Sequence, residues 1–296
     1  GSPLPENFSS VTPGLVLNIR LPRVTLSFAA GAAAAMGGVV MQSVLKNPLA
    51  SPYGLGVSSG AGLGAALVIV SGLGAGALGT LALPAVSLAF GLATVGAAIF
   101  LSSRLDHSLS NNTIILTGMV LSLFTNALMS TVSAANPEYS QRILLWQLGS
   151  FSGRGWEASA MVAAVAAVCL AGFLRLSPEL DAMTFGEEQA RALGVELRRV
   201  KWVLIVLVAA LTGTSVAFAG VIGFVDLIAP HVVRRFFGAR HRLVLPMAAL
   251  LGGAFMTVCD LAARTLASPS EIPVGSITAL IGAPFFLYVY FSHRRR

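Results

Sequence analysis

Two carboxylates, Asp226 and Asp260, stand inside apolar stretches of this chain. An ionised carboxylate in hydrocarbon is costly and normally faces a cavity or a partner. Both are therefore candidates for a proton or cation site. Asp260 also precedes Arg264 by one helical turn, the spacing at which opposite charges meet on a helix face. Asp226 follows Gly223-Phe224 and precedes Pro230, about a turn from the outer end of a short apolar segment. Freed backbone groups there leave room for water, and a polar or basic partner is expected nearby. Covalent chemistry lacks its parts. There is no GxxxxGK[ST], no HExxH and no nucleophile elbow. His107, His231, His241 and His293 are scattered near the ends of apolar stretches, and Cys169 and Cys259 lie far apart within them. That pattern makes neither a metal site nor a disulfide framework.

A second group of polar residues sits in the longest polar connection, residues 177–201. It contains Thr184-Phe185-Gly186-Glu187-Glu188-Gln189-Ala190-Arg191-Ala192-Leu193-Gly194. Thr184 or Gly186 can start a short helix with Glu187 and Glu188 in its first turn, where the dipole favours them. Gly194 is placed to end it. So short a helix needs a partner surface. Asn111 and Asn112, in Ser110-Asn111-Asn112-Thr113, read from the residues alone as an ordinary helix cap.

The elements that must hold these residues follow from composition. Of 296 residues, 55% are hydrophobic and 10% charged, with a mean hydropathy of +0.82. Soluble domains carry about 25% charged residues, so this is an all-α polytopic membrane protein. Nine windows are apolar enough for spans of about 20 residues: 24–44, 55–73, 81–101, 113–133, 157–176, 202–220, 222–233, 244–263 and 274–291. The seventh is short and contains Pro230, as in a broken helix. Residues 136–154 read as a short surface or re-entrant helix, and Trp146 and Trp156 fit an aromatic belt. Of the 19 Lys and Arg residues, only Arg20, Arg23, Arg142, Arg154 and Arg264 fall on one side of the nine-span topology. The positive-inside rule puts the others, and the C-terminus, in the cytoplasm. The net charge of +7 is then a topology signal and gives no reason to expect nucleic acid. Gly37-Gly38-Val39-Val40 to Asn47-Pro48 loosely echoes Gly220-Val221-Ile222-Gly223 to Ala229-Pro230. The two copies have opposite polarity, as in the inverted repeats of transporters.

Longer motifs give the pattern a family. Arg20-Leu21-Pro22-Arg23, Asn47-Pro48-Leu49-Ala50-Ser51-Pro52, Leu55-Gly56-Val57-Ser58-Ser59-Gly60-Ala61, Gly223-Phe224, Ala229-Pro230-His231 and Glu271-Ile272-Pro273-Val274-Gly275 occur in order, together with the 184–194 segment. The chain resembles the FecCD family, membrane permeases of ABC importers for ferric siderophores, haem and vitamin B12. The resemblance implies a helical bundle of ten spans. It also implies a homodimer, two cytoplasmic ATPases carrying ATP and Mg, and an external or periplasmic solute-binding protein. The permease itself is then no enzyme and binds no cofactor. Nine spans are visible here. The family's arginine motif lies just before its second helix, and the sequence opens Gly1-Ser2-Pro3 without methionine. The first family helix is thus expected to be missing, with residues 1–23 external.

The resemblance also assigns roles. Thr184, Phe185, Gly186, Glu187, Glu188, Ala190, Arg191, Leu193 and Gly194 match the segment that couples to the ATPase. Arg20, Arg23 and Arg264 match external arginines that dock the binding protein. Ser110, Asn111, Asn112 and Thr113 match the cytoplasmic gate, and the 113–133 helix lines the pathway with its twin. Asp226 stands where the family carries a small residue, a candidate pathway or cavity group. The expected function is a permease of the inner membrane moving an iron-siderophore or related chelate. The rival reading is an ion-coupled secondary transporter or channel using Asp226 and Asp260.

Overall fold

The computed structural model describes residues 13–73, 81–106 and 110–293, with side chains up to residue 287. His107, the opening Gly1-Ser2-Pro3 and Arg294 to Arg296 lie outside the described residues. The described residues are helical and contain no strand. The helices are α1 (Leu21–Val44), α2 (Val57–Ser71), α3 (Ala82–Leu105), α4 (Asn111–Ala135), α5 (Pro137–Gln147) and α6 (Trp156–Arg175). They continue with α7 (Ser177–Phe185), α8 (Glu187–Ala192), α9 (Leu197–Ala219), α10 (Val225–Phe237), α11 (His241–Thr265) and α12 (Val274–His293). Every one of the nine apolar windows falls on a helix. Six helices are long and apolar enough to cross a membrane, and α2 and the apolar part of α12 are shorter. The end of the 1–23 segment is already helical: a π-helical turn, Val16–Arg20, runs into α1.

Helix α1 is the hub, buried along most of its length. Its residues Ala29 to Ala35 are all small, so neighbouring backbones can approach closely, as helices in lipid require. Helix α11 lies antiparallel on that face. Arg23 meets Asp260, Gly31 meets Gly252, and Ser43 meets His241. A Cβ on Gly31 would stand 2.2 Å from the Gly252 carbonyl oxygen, so the two backbones touch where only glycine fits. The 19-residue separation of His241 and Asp260 places them roughly 28 Å apart along α11, at opposite ends of the bundle.

Two helices are short for a reason that hydropathy does not reveal. After α1 the chain folds back over residues 45–56 before α2 begins. After α9 it folds back over residues 220–224 before α10 begins. Gly220 (φ +79°) and Phe224 (φ +70°) make the second reversal, and left-handed backbone is uncommon for a bulky residue such as Phe. The two breaks meet: the Tyr53 hydroxyl donates to the Ile222 carbonyl at 2.9 Å. Helices α1 and α9 run in opposite directions, so each long helix plus short helix forms one half of an inverted repeat.

Candidate functional site

Asp226 belongs to the junction of the two breaks. Pro230, inside α10, cannot donate the amide hydrogen that would pair with the carbonyl four residues earlier. That carbonyl belongs to Asp226, and Gln42 of α1 donates to it at 3.2 Å. Close approach is possible because α1 carries glycine at position 38. A Cβ there would stand 1.9 Å from the Asp226 carbonyl oxygen. The Asp226 side chain accepts a short hydrogen bond from the Ser51 hydroxyl. A polar partner is therefore present, as expected, but two expectations change. Asp226 is 1% exposed and lines no open pathway. It also lies against the last two turns of α1, because α10 begins only after its chain has turned back into the bundle.

From this junction polar contacts continue to one end of the molecule. The Arg234 guanidinium donates to the Gln42 side chain, and to Ser43 at 3.3 Å. Ser43 contacts His241 Nε2 at 2.6 Å, and His241 Nδ1 contacts Asp181 of α7 at 2.6 Å. Sequence reading missed this chain of residues, since its members are spread over four helices.

Helix α7 leads directly into the predicted coupling segment. Thr184 and Phe185 close α7, Gly186 (φ +137°) turns the chain, and α8 opens with Glu187 and Glu188 in its first turn. Gly194 (φ +85°) ends the segment. Ala190 packs inward, whereas Phe185 and Leu193 are 76% and 70% exposed. Such apolar tips on a polar end of the bundle suit a partner surface. Beside them lies a cleft of about 780 Å³, lined by residues that include Glu179, Leu193, Glu196 and Arg199.

The predicted gate residues begin α4. Ser110 stands at the N-cap position, its amide donating to Asp106 at 3.1 Å, and its hydroxyl meets that of Thr113 at 2.9 Å. Asn112 is exposed. Asn111 is not simply a cap residue: its Oδ1 accepts from Lys201 Nζ at 3.0 Å. Lys201 also pairs with Glu187 at 2.8 Å, and its side chain is fully buried. The structure thus brings the predicted coupling segment and the predicted gate turn onto one lysine of α9. In the sequence that lysine counted only toward sidedness.

The other end carries the three predicted docking arginines, and they divide. Arg20 is exposed and Arg264 half-buried. Arg23 is buried instead of standing free. Its Nε and Nη2 donate to Asp260 at 3.0 and 2.8 Å, and its Nη1 donates to Glu271 at 2.7 Å. A fork filled by two carboxylates has no face left for a partner protein, so direct docking by Arg23 does not fit the structure. Arg264 Nε stands 3.9 Å from Asp260, the i,i+4 approach that the spacing suggested. Asp260, 1% exposed and gripped by Arg23, is no open ion site. The Arg23 guanidinium also holds the Glu271 carboxyl below its ordinary range. Trp156 donates to the Leu17 carbonyl at 2.9 Å, fastening the segment before α1 to α6.

Small-residue helix contacts and paired chain breaks define a multi-pass α-helical membrane protein of the inverted-repeat kind found in transporters. The chain belongs to the FecCD transport family, whose model matches residues 4–292. It is 42% identical over 284 residues to the ABC transporter permease protein YvrB of Bacillus subtilis, covering 95% of this chain and 80% of that one. It is 36% identical to the hemin transport system permease protein HmuU of Yersinia pestis, covering 95% and 84%. A solved structure, an inward-facing conformation of a putative metal-chelate type ABC transporter, matches with a TM-score of 0.89 at 34% identity. That match covers 98% of this chain and 91% of the other. The chain is accordingly an ABC-type permease, and the rival secondary-transporter reading is not favoured.

Proposed function

We propose that this chain is the membrane subunit of an ATP-driven importer for a metal chelate of the ferric siderophore, haem or cobalamin kind. The observation that carries this reading is the exposed α7–α8 tip on a chain of this family. Phe185 and Leu193 project from it, and Gly186 and Gly194 bound it. A cytoplasmic ATPase, with ATP and Mg on that partner, docks on this tip. The tip, the gate turn at Ser110 to Thr113 and the C-terminus then face the cytoplasm. At the other end Arg20 and Arg264 meet an acidic solute-binding protein, while Arg23 stiffens that surface from behind. A second copy completes the pathway along α4, whose Leu116, Val120 and Leu123 are exposed and apolar. The hemin relative and the metal-chelate structure support a chelate as cargo. Selectivity lies mainly in the binding protein, because a pathway that must release its cargo makes few specific contacts.

The test is uptake into vesicles holding the permease with its ATPase and binding protein. Labelled ferric siderophore, haem and cobalamin are each supplied with and without ATP. ATP-dependent uptake of one of them, unchanged when the proton gradient is collapsed, is expected. Uptake by the permease alone, driven by an ion gradient, would overturn the reading.

A further inference from the structure

The coupling tip and the gate turn are separated by more than 70 positions of chain, yet a single ammonium joins them. Lys201 lies in the second turn of α9, with no side-chain exposure. Its Nζ stands 2.8 Å from Glu187 Oε1 on α8 and 3.0 Å from Asn111 Oδ1 on α4. Burying an ammonium is strongly unfavourable unless opposite charge and hydrogen-bond acceptors remain around it. The positions of Glu187 and Asn111 are therefore linked through it. Removing either of these partners raises the demand that the lysine makes on those that remain. By linkage the effect runs both ways, so a change at the gate is felt at the tip.

We propose that Lys201 is the positioning residue that transmits movement of the ATPase-coupling helix to the gate. The inference rests on the transporter reading above. Lysine suits this task better than arginine. Its compact head carries three rotatable donors on a flexible stem, so it can follow a moving carboxylate without leaving the amide. Glu187 lies at the start of α8, beside Gly186, and any tilt of α8 on its docking partner displaces that carboxylate first. Asn111 lies at the start of α4, where a small change in one side chain redirects the turn in front of the pathway helix. The amide is suited to the middle state of such a switch, because it can donate as well as accept.

The experiment uses the permease assembled with its ATPase and binding protein in vesicles, measuring hydrolysis and uptake together. ATP-driven uptake by the parent complex checks the transporter reading, and its absence would sink that reading separately. Given a working parent, Lys201→Met is expected to assemble and to hydrolyse ATP. Chelate moved per ATP should fall on the order of tenfold, within the usual range of allosteric coupling. The reversed pair, Lys201→Glu with Glu187→Lys, should recover much of the loss, since Asn111 can donate to the new carboxylate. An Asn112→Cys cross-link between subunits should depend on nucleotide in the parent background and lose that dependence with Lys201→Met. A Lys201→Met complex with parental uptake per ATP would overturn the proposal. So would failure of both Lys201→Met and the reversed pair to assemble, because the lysine would then serve folding alone.

Discussion

Arg23 and Lys201 are the same device built to opposite specifications. Each is a buried cation that joins segments distant in sequence, Arg23 over 237 and 248 residues and Lys201 over 14 and 90. Arg23 offers a planar fork, and two carboxylates fill it from Asp260 and Glu271. Fork-to-carboxylate pairing fixes angle as well as distance. Lys201 offers a compact charge to acceptors that include the Glu187 carboxylate and the neutral Asn111 amide, which fixes distance and leaves angle free. The contrast suggests a division of labour. One end of the bundle is clamped, and the other holds a joint. The mid-bundle junction at Asp226 lies between them, where proline leaves a carbonyl open and Gln42 closes it.

The clamp should show the larger stability effect. Removing one member of a buried ion pair leaves an uncompensated charge and costs about 3–5 kcal/mol. Arg23→Met leaves the carboxylate of Asp260, which is 1% exposed, with only the longer 3.9 Å approach of Arg264, so the unfolding temperature in detergent should fall steeply. Arg23→Met with Asp260→Leu should recover most of it, since apolar replacement of a whole buried pair is often neutral. A single variant as stable as the parent would show that the clamp is ornamental.

The joint should be softer in stability and harder in function. Glu187 is 29% exposed, so water already screens part of its charge, and Glu187→Gln keeps the shape and one acceptor beside Lys201; the loss should be that of a weakened hydrogen bond to charge, about 1–3 kcal/mol. The order of the two unfolding temperatures, Arg23→Met below Glu187→Gln, is what the comparison requires. Replacing Gly186 with Trp together with Glu187→Lys should also uncouple hydrolysis from uptake. Full coupling in that variant would remove the reason to place the ATPase at α8.

The surface around the clamp should contribute mainly to encounter. Changing Arg20 and Arg264 to Glu is expected to slow association of the binding protein chiefly at low salt, as rim charges do. Stability should hardly move for Arg20, which is exposed. Unaltered association kinetics at low salt would place docking elsewhere.

How much of this was legible in the sequence follows from what each signal measures. Hydropathy sums a window of neighbours, so all nine apolar windows became helices, and Gly186 and Gly194 bounded α8 as their backbone freedom suggested. The same sum cannot tell that the chain re-enters at 45–56 and 220–224. It therefore misjudged the depth of Asp226. Charge was misread where burial depends on distant residues. Arg23 and Lys201 look like ordinary interfacial cations until Asp260, Glu271, Glu187 and Asn111 are brought to them. A lysine at the end of a predicted span gives no sign of being fully buried. Only the occurrence of Glu187 and Asn111 in the two segments singled out for movement hinted that something must connect them.

The smallest expected effect tests the clamp at its exposed edge. Glu271 lies in the connection before α12, with its side chain 39% exposed, so water screens its bond to Arg23. The pair should then contribute only about 0.2–1 kcal/mol. Arg23 lowers the Glu271 carboxyl below its ordinary value of 4.5, with Arg264 adding to the effect. A carboxylate whose folded value is depressed stabilises the fold above its unfolded value. That contribution is lost as pH falls through the folded value. The difference in unfolding temperature between parent and Glu271→Gln should therefore be present at pH 7, begin to shrink near pH 4.5 and close in stronger acid. Asp260 stays in contact with Arg23 in both proteins, so the difference reports on Glu271. A gap that stays constant through the acid range would mean that the edge of the clamp works by shape, and that Asp260 alone supplies the charge holding Arg23.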